Sequence, residues 1–280
     1  MSQNRKNVAA PEVFRCLRGF FDELYDVYTR REYVPPDPVE ALYVYDDPRD
    51  REIAGLVASC LAYGRAASIS KSVAKILGPL SLYPREALLS LGKGDLCRLY
   101  SGFRHRFTSG DAMAALLSGA TNVVREFGTL GACFHSMFGE SGELEGAAGA
   151  FVREIRRAGG LEDAFLLPDP ADGSACKRLF LYVKWMVRRD AVDPGGWDDI
   201  PAYSLMMPVD THIFHIGREL GFTTRSQADL RTCREITNAF AKISPEDPTK
   251  YDFCLSRFGI RSDLEIGDLL AGCAALTGPR

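Results

Sequence analysis

Two segments of this 280-residue chain carry side chains that could do chemistry together. One is Cys176-Lys177-Arg178-Leu179-Phe180-Leu181-Tyr182-Val183-Lys184, behind Gly173 and Ser174; the other is Pro208-Val209-Asp210-Thr211-His212-Ile213-Phe214-His215-Ile216. Ser174 is a good N-cap residue, which puts Lys177 in the first turn of its helix. The positive end of the helix dipole disfavours a second positive charge there, and a neutral amine is what a lysine nucleophile needs. Asp210 is a preferred N-cap residue for a helix from Thr211 to Leu220. A capping carboxylate is held rigidly and can also stabilise a cation that develops beside it. An amine and a carboxylate placed in this way suit attack on the sugar carbon of a nucleoside. The plainer alternative is a surface lysine on a solvated basic face and an aspartate that only caps.

Other chemistries find less support. His212 and His215 share a helical face, but two imidazoles and one nearby carboxylate make a thin ligand set, so no metal is expected. There is no Gly-x-Ser-x-Gly elbow and no glycine-rich phosphate or dinucleotide loop. The eight cysteines are spread along the chain, none within four residues of another, which excludes zinc or cluster spacing. Most sit in apolar runs, such as Cys60 within Leu56 to Leu61, and read as small buried hydrophobes. No cofactor is expected.

The elements that must position these groups are helical. Apolar residues recur at threes and fours over 13–33, 51–63, 68–77, 112–127, 145–157, 177–189, 211–220, 227–243 and 247–258. Proline- and glycine-rich loops separate them, and no convincing hairpin signal is present. Residues 1–10 read as a flexible N-terminus and 11–275 as a single all-α domain, in two lobes with a cleft between them. In the 177–189 helix, Lys177, Leu181, Lys184 and Arg188 share one face, which is basic and suited to phosphates. Leu179, Phe180, Val183 and Val187 share a core face. The net charge of −3 leans mildly against a nucleic-acid partner, although the field at the binding face counts for more than the sum. No apolar run approaches a membrane span and residues 1–11 lack the apolar stretch of a signal peptide, so a cytoplasmic, nucleoid-associated monomer is expected.

The second segment closely resembles the stretch of the helix-hairpin-helix DNA glycosylase superfamily that carries its catalytic aspartate. Endonuclease III-type enzymes have Val-Asp-Thr-His-Ile there, and 8-oxoguanine glycosylases have Pro-Val-Asp-x-His with a second histidine three residues on. The first segment looks like the helix of archaeal 8-oxoguanine glycosylases that starts at their nucleophilic lysine and has another lysine seven residues later. The resemblance implies a two-lobed helical fold with a central cleft. It also implies excision of an oxidised purine such as 8-oxoguanine from duplex DNA, with Lys177 as nucleophile and Asp210 as the assisting carboxylate. It further implies base contacts from Pro208, His212 and Asp252, and backbone contacts from Arg65, Gly173, Ser174, Lys184 and Arg188. The chain also resembles a bacterial conserved-hypothetical family with a Lys-Arg-Leu…Trp-Met-Val-Arg…Asp-Thr-His pattern. Two departures stand out. The usual Leu-Pro-Gly-Val-Gly-x-Lys hairpin is replaced by the longer, acidic Leu167 to Lys177, and the C-terminal four-cysteine motif is missing, so no iron–sulfur cluster is expected. A catalytically silent nucleic-acid-binding protein on the same fold, or an all-α interaction scaffold, are the rival readings.

Overall fold

The computed structural model describes residues 11–277; the stretch 1–10, expected to be flexible, lies outside them. Thirteen α-helices make up most of the described chain. The first is α1 (Pro11–Tyr28), followed by α2 (Pro48–Cys60), α3 (Ala66–Leu77), α4 (Pro84–Ser90) and α5 (Lys93–Leu99). A two-stranded hairpin, β1 (Arg104–His105) and β2 (Thr108–Ser109), leads into α6 (Gly110–Phe127), α7 (Leu130–Ser141) and α8 (Leu144–Gly159). Then come α9 (Lys177–Val187), α10 (Thr211–Glu219), α11 (Leu230–Ile243), α12 (Asp252–Ile260) and α13 (Ile266–Thr277). The all-α expectation therefore holds apart from the hairpin, whose Arg106-Phe107 turn carries none of the glycine or asparagine that marks such turns.

Helices α2 to α9 form one packed group, in which α6, α7 and α8 lie against one another and α2 lies against α9. Helices α6 and α8 approach closely because both carry glycine at the crossing. A Cβ on Gly119 would stand 2.2 Å from the Ile155 carbonyl, and one on Gly159 would stand 2.1 Å from that of Ala115. Glu52, buried in α2, accepts hydrogen bonds from the amides of Leu130 and Gly131 and from the Trp197 indole, at 2.8, 2.9 and 3.1 Å. A carboxylate at the start of α7 also answers that helix's dipole, which ties α2 to α7.

The chain's first and last helices join in a second group. Helix α1 packs on α11, α12 and α13: Phe20 faces Gly272 of α13, and Phe21 is fully buried 5.4 Å from the Tyr251 ring at the start of α12 and 6.1 Å from that of Phe240 in α11. Truncating such a ring to alanine costs about 3–5 kcal/mol. One apolar cluster runs through both groups. Trp185 and Trp197 belong to it, as do six buried cysteines; Cys16 is exposed and Cys97 half-buried. Among the described residues, no helix is long and apolar enough to cross a membrane.

Several boundaries differ from the periodic reading, among them those of α2, which spans Pro48–Cys60 rather than 51–63. Helix α1 stops at Tyr28, and Arg31–Tyr33 forms a separate 3-10 turn. Helix α12 begins at Asp252, five residues later than expected, because the Asp247 carboxylate folds back on the Thr249 amide and hydroxyl, at 2.9 and 2.8 Å. Helix α9 is capped by Cys176, not by Ser174. The Ser174 hydroxyl accepts from the Cys176 amide at 3.3 Å, and Cys176 takes a left-handed conformation with φ 46°, so Lys177 is the first helical residue.

Candidate active site

A cleft of about 400 Å3 opens where the Pro36–Pro38 loop meets four further segments. They are the α2–α3 loop (Ala62, Tyr63, Gly64), one side of α9 (Lys177, Leu181, Lys184, Trp185), the Pro208–His212 stretch and helix α12 (Asp252, Phe253, Ser256, Arg257). Its size is that of a small-molecule or nucleoside site. Lys177, Asp210, Pro208, His212, Asp252 and Lys184 all line it.

Asp210 caps α10 with one oxygen and faces the cleft with the other. Its Oδ1 accepts from the amides of His212 and Ile213, at 2.9 and 2.8 Å, while Oδ2 lies 3.8 Å from Lys177 Nζ. Two backbone amides fix the carboxylate's rotamer, so the free oxygen needs no reorganisation to meet a charge in front of it. Lys177 is partly exposed and stands at the first position of α9, whose cap residue offers no side-chain hydrogen bond. The His212 ring lies flat enough against α12 that a Cβ on Gly259 would come within 2.0 Å of its Nδ1. His215 points to solvent, and no cluster of three potential metal ligands occurs among the described residues.

The basic face expected on α9 is not a surface. From Leu179 onward the helix is buried nearly all round, as a central helix must be. Lys184 is 1% exposed; its Nζ donates to Asp252 Oδ2 at 2.6 Å and lies 3.6 Å from Asp193 Oδ1. Arg188, also buried, pairs with Asp190, Asp193 and Asp247 at 2.6, 3.0 and 2.7 Å. Neither cation can reach a phosphate outside the protein, which corrects the backbone-contact role expected for both. The acids that hold them come from the α9–α10 loop and from the segment around α12, far along the chain from α9.

Within this network, burial works against the Lys184 ammonium, yet Asp193 and Asp252 outweigh it and push its pKa up. Burial pushes the Asp193 carboxyl up to about 7, against the pull of Lys184 and Arg188; its Oδ1 has no hydrogen-bond partner. Asp252 meets the cleft already engaged by Lys184. Arg65, Gly173 and Ser174 are exposed, Arg65 in the α2–α3 loop and the others in the turn before α9, where Ser174 bridges to Asp229.

Sequence reasoning missed Tyr63 and Arg178. Tyr63 lines the cleft, and the Arg178 guanidinium lies 5.1 Å from its ring centre while donating to the Cys60 carbonyl at 2.6 Å and to that of Phe165. The only available signal was adjacency, since Arg178 follows Lys177 and Tyr63 precedes the glycine of the α2–α3 loop.

Fold and site together define a mostly helical protein with an amine–carboxylate pair lining a cleft of about 400 Å3. The family model described as "Protein of unknown function (DUF2400)" matches residues 37–261, and the chain belongs to that family. No curated protein and no solved structure gives a significant match.

Proposed function

We propose that the protein is a DNA glycosylase with lyase activity on the helix-hairpin-helix plan, acting on an oxidised purine such as 8-oxoguanine. The observation that carries this reading is the 3.8 Å approach of Lys177 Nζ to Asp210 Oδ2 in a cleft of about 400 Å3. The arrangement of one group of central helices, with α1 returning to α11–α13, is consistent with the two-lobed plan.

The damaged nucleotide leaves the stack and enters the cleft. Lys177 Nζ bonds to C1′ as the N-glycosidic bond breaks, and the base departs with the electron pair and takes up a proton. Asp210 Oδ2, ionised, stabilises the positive charge on the sugar as the base leaves and then accepts the proton that the bonded amine loses. Ring opening gives an imine at C1′; loss of a C2′ proton to water then expels the 3′ phosphate by β-elimination. Asp252, His212 and Pro208 line the same cleft and face the base; Arg65 and the Gly173–Ser174 turn remain for the phosphate backbone.

The test is base release from a panel of duplexes, each holding one oxidised, deaminated or alkylated base. The expected result is release from an oxidised-purine duplex by the wild type and none by K177A. Release of no base from any duplex contradicts the reading and favours the silent DNA-binding alternative.

A further inference from the structure

The β1–β2 hairpin pairs Arg104 with Ser109 and His105 with Thr108, which leaves Arg106 and Phe107 as a two-residue turn. Phe107 is 69% exposed and covers no core. Arg106 sits at φ 51°, a position that glycine fills without strain in turns of this kind. The base of the hairpin, by contrast, is firmly held. The buried His105 ring donates from Nε2 to the Tyr63 carbonyl at 3.0 Å and accepts at Nδ1 from Ser72 at 2.8 Å. The Tyr63 hydroxyl lies 2.7 Å from both the His105 carbonyl and the Thr108 hydroxyl. A strained, exposed tip on a rigid base suggests a contact made outside the chain.

Behind the tip, aromatic rings lead inward. Phe107 meets Phe165 edge-on at 5.6 Å, and Phe165, itself 44% exposed, meets Tyr63 edge-on at 5.1 Å. Tyr63 lines the cleft that holds Lys177. The Arg178 guanidinium lies 4.6 Å from the Phe165 ring centre, so this file of rings is tied to the N-terminus of α9. Arg104 and Arg106 of the hairpin and Arg65 of the α2–α3 loop are exposed and form no ion pair among the described residues. The Arg106 side chain packs over Gly64 of the α2–α3 loop, where a Cβ would come within 3.0 Å of it. Flat apolar rings among unpaired guanidinium groups complement a polyanion with flat faces, which is the chemistry of nucleic-acid bases and phosphates.

We infer that the Arg106–Phe107 tip is a base-stacking finger: Phe107 enters the base stack of duplex DNA beside the cleft while Arg65, Arg104 and Arg106 meet the flanking phosphates. Entry of an apolar side chain between base steps would hold the gap from which a nucleotide has left for the cleft. The finger rests on the reading of the cleft as a nucleotide site.

Full-length wild type, F107A and F107W are titrated with a duplex carrying a single stabilised abasic-site analogue, and thermal unfolding checks that all three fold alike. F107A is expected to bind about tenfold or more weakly, the loss of one stacked base. F107W is expected to bind like wild type, with its added exposed-indole emission quenched by DNA beyond any change that the wild type shows from Trp185 in the cleft. Equal binding by F107A together with unquenched F107W emission overturns the finger while leaving the glycosylase reading intact. Failure of the wild type to bind any duplex overturns both.

Discussion

Asp210 divides its carboxylate between two tasks, giving Oδ1 to the amides of His212 and Ile213 and holding Oδ2 3.8 Å from Lys177 Nζ. The two tasks separate by substitution. Asparagine caps a helix as well as aspartate does, whereas alanine costs about 1 kcal/mol. D210N is therefore expected to unfold with the wild type and to lose about 10²–10³-fold in base release. D210A is expected to lose both. Denaturant unfolding beside single-turnover kinetics measures the two effects, and D210N with undiminished release would remove Asp210 from the chemistry.

Lys184 gives a sharp contrast between two placements. A solvated lysine facing DNA would change stability by no more than about 0.5 kcal/mol when replaced. Buried against Asp252 and Asp193, it leaves uncompensated carboxylates behind, so K184M is expected to cost about 3–5 kcal/mol. Urea unfolding decides between them.

Gly259 makes room for His212. An added methyl would overlap the ring, and overpacking of this kind costs about 1–3 kcal/mol. G259A is expected to be destabilised by that amount and H212A/G259A to recover most of it. An additive double mutant would show that the contact does not couple the two helices.

Asp193 supplies a pH signature. Its carboxyl is raised from 3.8 to about 7 by burial, so between those values the folded protein holds a proton that the unfolded chain has released. Stability from this group is thus greatest at low pH and falls as pH rises through the window, by at most about 1.4 kcal/mol per unit. D193N, which cannot ionise, is expected to lose that downward slope. Identical slopes for wild type and D193N from about pH 4 to 7 would contradict the placement.

Much of the helical frame was legible because apolar residues form one stripe at helical period in α3, α8, α10 and α11, and recur at that period even in α2, α6 and α9, which are buried nearly all round. Helix α7 was hidden because Gly131 and Gly139 interrupt a short apolar run, and α4 and α5 are too short to show a period. The hairpin was hidden because Arg106 occupies a turn position that normally announces itself by glycine. In the site, Lys177 and Asp210 could each be placed at a helix start, but their approach depends on how α9 and α10 pack, and only resemblance pointed to it. Lys184 and Arg188 misled because a charge on a helix reads as solvated when Asp247 and Asp252 reach it from far along the chain, and Asp190 and Asp193 only through the turn that follows α9. Pairing across the fold leaves no local pattern.

The most direct measurement is borohydride trapping on a duplex with one 8-oxoguanine, followed by peptide mapping of the product. A covalent protein–DNA adduct attached at Lys177, missing in K177A and strongly reduced in D210N, is the expected result. No adduct on any oxidised-purine duplex, or one that persists in K177A, would contradict the account.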